Sequence, residues 1–129
     1  MHWTVELPGG DDDYAIVTTS GTFNAADHLR MIEDIVTRPG WRSGMDVLFD
    51  NRGLSFGEAD LRAMYEAGAN HLRNDARIGD GKAAILVSSV SDYGRGRQFE
   101  LMTEGRVSAN LCVFMDENEA VGWLAGQMV

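Results

Sequence analysis

The fold of this chain is decided by the stretch Met45-Asp46-Val47-Leu48-Phe49-Asp50-Asn51-Arg52-Gly53-Leu54-Ser55-Phe56-Gly57-Glu58. Its apolar start is typical of a buried strand, predicted over residues 44–49. The polar residues that follow predict a tight loop, and Gly57 and Glu58 predict the start of a helix that runs to about residue 74. A buried strand that leads through a short loop into a helix is the repeating unit of α/β domains.

Two strands are predicted before this segment. Residues 2–7 alternate apolar and polar side chains, and residues 14–20 are rich in β-branched residues, so both runs predict strands. The turn-forming residues 8–13 between them favour an antiparallel hairpin. Asn24, followed three residues later by Asp27, predicts the cap of a first helix, which Pro39 and Gly40 end.

The remaining helices and strands are predicted after the segment 45–58. The second helix has its predicted apolar face at Leu61, Met64, Tyr65, Gly68 and Leu72. Residues 82–88 are apolar on both faces, as in a central parallel strand. Residues 91–97 predict a loop and the start of a third helix, residues 107–115 a last strand, and Asp116 the cap of a final helix. The order β-β-α-β-α-β-α-β-α predicts one three-layer α/β domain over residues 1–129, with a mostly parallel sheet and an antiparallel N-terminal edge hairpin.

Composition excludes several classes of partner. The chain has 129 residues and a net charge of -9, from 11 basic and 20 acidic residues. Such an acidic chain is not expected to bind nucleic acid or an anionic membrane surface. Its single cysteine, Cys112, has no partner for an internal disulfide and is predicted to be buried in the last strand. No signal peptide and no membrane-spanning stretch is recognised, so a cytoplasmic location is predicted.

Three segments carry a resemblance to a known family. They are Val47-Leu48-Phe49-Asp50, the segment 93–100 (YGRGRQFE), and the segment 113–124 (VFMDENEAVGWL). Together they resemble the small, stand-alone bacterial proteins with a SpoIIAA-like fold, in the STAS superfamily, over nearly the whole chain. That resemblance implies the three-layer fold predicted above. The SpoIIAA-like fold is also similar to that of CRAL-TRIO lipid-binding domains, which implies an apolar ligand as one option.

The phosphorylation motif of that superfamily is absent. Phospho-switched anti-sigma factor antagonists carry an Asp-Ser-Ser/Thr-Gly motif at the start of the helix that follows the third strand. The matching segment here, Phe56-Gly57-Glu58-Ala59-Asp60, contains no hydroxyl group. Ser55 precedes the matching position and is interpreted as a loop or capping serine. A phospho-switched antagonist is therefore the less favoured function.

The sequence shows no catalytic or metal-binding motif. Of the three histidines, His2 is at the chain start, and His28 and His71 fall on separate helices, where we expect them at the surface. No serine stands in a Gly-x-Ser-x-Gly elbow, and no histidine or cysteine pair has the spacing of metal ligands. No cofactor is predicted.

A cluster of arginines gives the candidate site. Arg52 is predicted just beyond the third strand, and Arg95 and Arg97 just beyond the fourth, so parallel strands would bring all three to one edge of the sheet. The Gly94-x-Gly96 pair predicts a tight turn that exposes backbone N–H groups there, next to Tyr93. These residues predict a site for a small anion, or for the anionic head of an amphiphile. The simpler alternative is that the arginines form ordinary surface ion pairs with neighbouring carboxylates.

The predicted function is a non-enzymatic binding or regulatory module for a partner protein or for a small anionic or amphiphilic ligand. The alternative is an enzyme with its site at the edge that carries Arg52, Arg95 and Arg97. Trp3 and Trp41 are candidates for an exposed patch that would support a homodimer.

Overall fold

The computed structural model of the protein describes residues 1–9, 14–57, 59 and 61–126. Within these ranges the chain forms five strands and five helices. In chain order they are β1 (His2–Glu6), β2 (Tyr14–Thr22), α1 (Ala25–Thr37), β3 (Asp46–Ser55), α2 (Leu61–Arg73), α3 (Asp75–Ile78), β4 (Lys82–Leu86), α4 (Val90–Thr103), β5 (Asn110–Phe114) and α5 (Glu117–Leu124). The predicted order of elements is confirmed, apart from the short helix α3, which the sequence did not predict.

The five strands form one sheet in the order β1-β2-β3-β4-β5. β1 and β2 pair antiparallel, and all later neighbours pair parallel, so the predicted edge hairpin on a mostly parallel sheet is confirmed. Phe49 in the middle strand pairs with Val17 on one side and with Ile85 on the other. Because the parallel strands run in one direction, their carboxyl ends share one edge of the sheet.

The two faces of the sheet are covered unequally. The strands from β2 onward follow one another in space, so right-handed crossovers place the connecting helices on the same face. Helices α1, α2 and α4 cover this side, here named the three-helix face, and their core residues include Met31, Ile35, Met64, Ala67 and Phe99. Helix α5 alone covers the other side, the α5 face, where Leu48, Ala84, Leu86, Phe114, Ala120 and Leu124 pack together.

The helix caps predicted from the sequence are confirmed. The side chain of Asn24 accepts a hydrogen bond from the backbone N–H of Asp27 at 3.0 Å, and that of Asp116 accepts one from Glu119 at 3.0 Å. Each bond satisfies one of the N–H groups that the first turn of a helix leaves free. Ser89, which was not predicted as a cap, caps α4 in the same way.

β3 is longer than predicted. The tight loop expected after Phe49 is instead strand as far as Ser55, because β2 continues to Thr22 and pairs with it. The pairing resumes after an irregularity between Thr18 and Ser20. Leu54 is buried there, which fixes this polar stretch to the sheet.

α4 begins earlier than predicted. Ser89 caps it, so the expected loop over residues 91–97 is wrong, and Gly94 and Gly96 lie inside a helix. Gly96 allows α4 to approach β5 closely, because a Cβ atom there would lie 2.6 Å from Cγ2 of Val113. The predicted first residue of the second helix, Glu58, lies outside the described residues, as do residues 10–13 of the hairpin turn.

The predicted apolar face of α2 is wrong, except for Met64. Leu61, Tyr65 and Leu72 are about half exposed, whereas the buried residues of this helix are Met64, Ala67, Asn70 and His71. The helix is therefore rotated relative to its apolar pattern, and a polar pair takes the place of leucine in the core.

Candidate functional site

Arg52 lies within β3 and is held by two carboxylates. Its guanidinium donates to both oxygens of Asp50 at 2.9 Å and to Glu117 of α5 at 3.3 Å. Hydrogen bonds from Arg52 keep the pKa of the Asp50 carboxyl below its ordinary value, and Asp50 in turn raises the pKa of Arg52. Arg52 is thus directed toward α5, on the α5 face.

Arg95 and Arg97 each have a carboxylate of their own in α4. Arg95 donates to Asp92 at 3.3 Å and to Ser91 at 3.1 Å, while Arg97 donates to Glu100 at 2.8 Å. The other oxygen of Glu100 accepts the backbone N–H of Val113 on the edge strand β5 at 3.0 Å. The ion pairs that the sequence offered as the simpler alternative are therefore formed.

The predicted arginine edge is distributed over three places. Arg52 reaches α5, Arg97 lies beside β5, and Arg95 stands over the ring of Phe56, 5.9 Å from its centroid. Tyr93 and Gly94 lie in the first turns of α4, with Tyr93 partly exposed. The tight turn expected at Gly94 and Gly96 is wrong, since both are helical. Anion binding by these residues stays a prediction.

A cavity of about 60 Å³ lies on the three-helix face, between the sheet and helices α1, α2 and α4. We call it the central cavity. The sheet contributes Phe49, Asn51, Leu54 and Ile85 to its wall, and the three helices contribute His28, Met31, Met64, Ala67, His71 and Phe99. None of the lining residues that the structure describes is Asp, Glu, Lys or Arg. The position of Leu54 and Ile85 places it toward the carboxyl ends of β3 and β4, where open α/β sheets bind ligands.

Two stacked aromatic rings form the rim of the central cavity. Phe23, between β2 and α1, and Phe56, just after β3, have ring centroids 5.4 Å apart. Both rings are only partly buried, so they separate the cavity from solvent. Arg95 covers the outer side of Phe56, which puts one residue of the predicted site beside the rim.

His28 is held inside the wall by the side chain of Asn70. The amide nitrogen of Asn70 lies 3.0 Å from Nδ1 of His28 and also donates to the backbone oxygen of Ala25 at 2.9 Å. Because that nitrogen is a donor, Nδ1 of His28 accepts, and the ring proton lies on Nε2. Burial, and to a smaller extent the nearby His71, lowers the pKa of His28 to about 3, so the ring is neutral.

His71 lies at the deep end of the central cavity. It also borders a second cavity, of about 20 Å³, whose wall includes Met45 and Gly81 near the amino ends of the strands. Its ring centroid is 5.2 Å from that of Phe99 and 5.6 Å from that of His28. Burial lowers the pKa of His71 to about 4, although Asp75 acts in the opposite direction. Its Nδ1 atom is buried and has no hydrogen-bond partner in the described part of the chain.

The prediction that these two histidines lie at the surface is wrong. His28 is 8% exposed and His71 is 5% exposed. Polarity was taken as a sign of exposure, but a neutral imidazole is readily buried when the cavity or a neighbouring amide accommodates it. One signal was present in the sequence: His71 follows Met64 and Ala67 at positions i+7 and i+4, the spacing of residues on one helical face.

The described ranges contain one free thiol and no cluster of metal ligands. Among the described residues, no group of three His, Cys, Asp or Glu side chains is placed to hold a metal ion. Cys112 is a free thiol, half-buried against the core of the α5 face, and burial raises its pKa. None of the helices in the described ranges combines the length and apolarity needed to cross a membrane.

No family model matches the chain, and no curated protein matches it. Among solved structures it is similar to the crystal structure of an uncharacterized protein from the DUF3478 family with a SpoIIAA-like fold, from Shewanella loihica PV-4. The TM-score is 0.59 at 16% sequence identity, over 95% of this chain and 92% of that one. The chain has a SpoIIAA-like fold. The resemblance noted in the sequence is confirmed at the level of fold.

Within this SpoIIAA-like fold, Ser55 is the last residue of β3. Its hydroxyl accepts the backbone N–H of Gly57 at 3.2 Å, and its carbonyl accepts that of Phe23 at 2.7 Å. The serine therefore stabilises the local turn, in line with its interpretation as a capping residue. Glu58 and Asp60, which complete the segment matched to the phosphorylation motif, lie outside the described residues. The absence of a phospho-switch stays a prediction.

Proposed function

We propose that this protein is a non-enzymatic binding domain that holds a small apolar or amphiphilic molecule in the central cavity. The observation that carries the proposal is the cavity itself, which lies between the sheet and three helices and is lined mainly by apolar side chains, among them four phenylalanines and three methionines. Ligand sites in proteins are typically concave and mostly apolar, with a few polar groups.

The size of the cavity supports a small ligand. A water molecule needs about 10–15 Å³ of such space, whereas an apolar cavity of about 150 Å³ admits benzene. The central cavity, at about 60 Å³, lies between these limits. Met31 and Met64 in its wall have flexible side chains that adapt to irregular shapes. Modest movement at these residues makes room for one ring or a short alkyl chain.

The groups in the wall favour binding over catalysis. A covalent mechanism needs a nucleophile within hydrogen-bond reach of a base. The described wall offers His28, whose Nδ1 is occupied by Asn70, and His71, but no serine, cysteine, aspartate or glutamate. The alternative of an enzyme at the arginine edge finds less support, because each arginine is paired with a carboxylate.

Arg95 is the predicted site residue that fits this proposal best. It lies over Phe56 at the rim, is 28% exposed in its side chain, and is paired with Asp92 at 3.3 Å. The anionic head of an amphiphile whose tail occupies the cavity would replace Asp92 as its partner. The test adds either hexanoate or inorganic phosphate to the protein and monitors the amide signals of Gly94 and Arg95 by NMR. Hexanoate is expected to shift both; a shift with phosphate alone would point to an anion site without a tail.

NMR of methyl-labelled methionine tests the proposed function directly. Addition of toluene is expected to shift the methyl signals of Met31 and Met64 and to leave that of the exposed Met115 unchanged. Ala67→Leu, which fills the cavity, should weaken the response. Ala69→Leu on the exposed side of the same helix is the matched control and should not. Unchanged signals of Met31 and Met64 at saturating toluene would refute the proposal.

A second proposal, a homodimer or another protein partner, is supported by the outer surface of α2 and α4. Tyr65 and Leu72 are each more than half exposed there and line an apolar groove between the two helices. Trp3 and Trp41, the residues first considered for this role, are half-buried, and their indoles donate to Asp34 and to the Arg77 carbonyl.

The solution mass tests this second proposal. A dimer would have twice the monomer mass of 14.2 kDa, and Tyr65→Glu combined with Leu72→Glu should return it to the monomer. A monomeric mass at high concentration would refute self-association by this surface. The cytoplasmic location and the lack of nucleic-acid binding stay predictions.

A further inference from the structure

His71 lines the central cavity, and its buried Nδ1 atom has no hydrogen-bond partner among the described residues. The residue is 5% exposed, and the atom has no hydrogen bond among the residues that the structure describes. Buried polar atoms in folded proteins nearly always have a partner, and leaving one unsatisfied is destabilising. An unsatisfied atom in a residue that lines a cavity indicates a ligand group that supplies the missing hydrogen bond.

The neighbouring side chains cannot supply that partner. The amide nitrogen of Asn70 already serves the carbonyl of Ala25 and Nδ1 of His28, which uses both of its hydrogens. Two other rings are close neighbours of known geometry: Phe99, which contacts His71 edge to face, and His28, whose centroid is 5.6 Å away; neither gives Nδ1 a hydrogen bond. The missing partner must therefore enter through the cavity.

The chemistry of the wall selects the kind of partner. A neutral imidazole nitrogen either donates or accepts, depending on the tautomer, and a hydroxyl group is able to do both. The described wall has no Asp, Glu, Lys or Arg to pair with a carboxylate or ammonium group, and the terminal amino group of Met1 is already paired with Asp27 at 3.4 Å. Four phenylalanines border the cavity, at positions 23, 49, 56 and 99, and suit the faces and edges of an aromatic ring.

We propose that the central cavity binds a small neutral alcohol of the phenol class, with its ring among the phenylalanines and its hydroxyl hydrogen-bonded to Nδ1 of His71. This inference rests on the proposed function and specifies its ligand. It places the polar end of the molecule at the deep end of the cavity, because His71 also borders the second cavity beneath. An anionic substituent would have to project outward past Phe56 to Arg95.

The test compares phenol, toluene and benzoate on the intact protein, with the methyl signals of Met31 and Met64 as the readout. In a purely apolar cavity toluene binds and phenol is rejected, since its hydroxyl loses its water without replacement. We expect phenol to bind at least as tightly as toluene, and benzoate to bind more weakly than phenol, because its carboxylate is kept from His71 and has to face Arg95 at the rim. Toluene binding without phenol binding would overturn this inference and leave the proposed function standing. If neither molecule shifts these signals, the proposed function fails as well.

His71→Phe is the variant that isolates the hydrogen bond, because it keeps a ring of similar size. Its affinity for phenol is expected to fall about tenfold, the effect of one lost hydrogen bond, while its affinity for toluene changes less than about twofold. An equal change for both ligands would overturn the inference.

A measurement on the unaltered chain covers the case in which the variant does not fold. The histidine ring nitrogens are followed by long-range proton–nitrogen NMR. Phenol, but not toluene, is expected to shift Nδ1 of His71 and to leave Nδ1 of His28 in place. An Nδ1 signal of His71 that phenol leaves unchanged, or a bound water there that phenol does not displace, would overturn the inference.

Discussion

The two faces of the sheet are packed in different ways. On the α5 face the core consists of aliphatic side chains and one phenylalanine, with Leu86 and Ala84 completely buried. All six buried polar residues in the described part of the chain lie on the three-helix face: Thr19, His28, Asn70, His71, Asn74 and Thr103. The central cavity lies on that face too. The difference teaches that one side of this small sheet is closely packed, while the other combines buried polar side chains with a cavity.

Most of those polar residues are satisfied internally. Thr19 donates to Asn51 at 2.7 Å, Thr103 donates to the carbonyl of Phe99 at 2.8 Å, and the amide of Asn74 reaches the carbonyl of Asn70 at 3.3 Å. His71 is the member with an unpartnered buried atom in the described ranges. His71 therefore differs from the other buried polar residues, because its ring is held by contacts with Phe99 and His28 and its Nδ1 atom has no hydrogen bond.

The largest predicted effect that distinguishes the three-helix face from the α5 face is a loss of stability in mild acid. Burial lowers the pKa of His28 to about 3 and of His71 to about 4, from 6.5 in the unfolded chain. Below pH 6.5 these histidines are therefore protonated in the unfolded chain but remain neutral in the folded chain. The free energy of unfolding decreases as the pH is lowered. Each histidine contributes a slope of about 1.4 kcal/mol per pH unit down to its folded pKa.

Urea denaturation between about pH 7 and pH 5 measures this slope. His71→Phe should reduce it by about half, and His2→Gln at the exposed chain start should leave it unchanged. The carboxyls with lowered pKa values, Asp34 and Asp50, lose their contribution only below their ordinary value of 3.8, so they do not obscure the result. A stability independent of pH across this interval would contradict the burial of both histidines.

The second prediction compares one large side chain from each face. Leu86→Ala on the α5 face should lower the free energy of unfolding by about 4 kcal/mol, because close packing leaves the neighbours little room to fill the space. Met64→Ala on the three-helix face should lower it by only about 2 kcal/mol, since Met64 already borders a cavity and lacks contacts on that side. Chemical denaturation gives both values. Equal losses would remove the proposed difference in packing.

The third prediction compares two glycines of α4 that differ in the space around them. Gly96→Ala should lower the free energy of unfolding by about 1–3 kcal/mol, because the new Cβ would lie 3.0 Å from Cβ of Val113, which is stiff at χ1. Gly94→Ala meets nothing within 4 Å and should raise it by about 0.5–1 kcal/mol, as alanine favours the helix. Opposite signs in denaturation curves confirm the close approach of α4 to β5; the same sign for both would contradict it.

The smallest predicted effect is at Arg52. Arg52→Ala should lower the free energy of unfolding only slightly, because the guanidinium is exposed and surface ion pairs contribute little. The informative readout is the titration of the Asp50 carboxyl carbon by NMR. Its pKa should rise toward the ordinary value of 3.8 once the arginine is removed. An unchanged pKa would show that Arg52 does not hold this carboxylate in solution.

The parts of the fold governed by local signals could be predicted from the sequence. Asn24 and Asp116 each stand three residues before an acidic residue, and both prove to be caps. The strand–helix alternation required a mostly parallel sheet, and the hairpin at residues 2–22 required one antiparallel edge. These features depend on residues close together in the chain.

The candidate site depended on contacts between distant segments and was largely missed. Arg52 was expected beyond β3, but β2 extends the strand past it. His71 was expected at the surface of α2, yet it is buried beside Asn70, which bonds a residue 42 positions away. Leu61, Tyr65 and Leu72 suggested the opposite helix face. Only the packed structure shows which side faces the sheet, and only there does the cavity exist.

Glu100 limits the growth of the sheet. Its carboxylate, steadied by Arg97, takes the outward N–H of Val113 on the edge strand β5. An incoming sixth strand would need that same N–H, so it would have to expel a charged group from its hydrogen bond first. Unprotected strand edges are the usual starting points of aggregation. A single side chain thereby helps this protein to stay at five strands and to remain separate from its copies along that border.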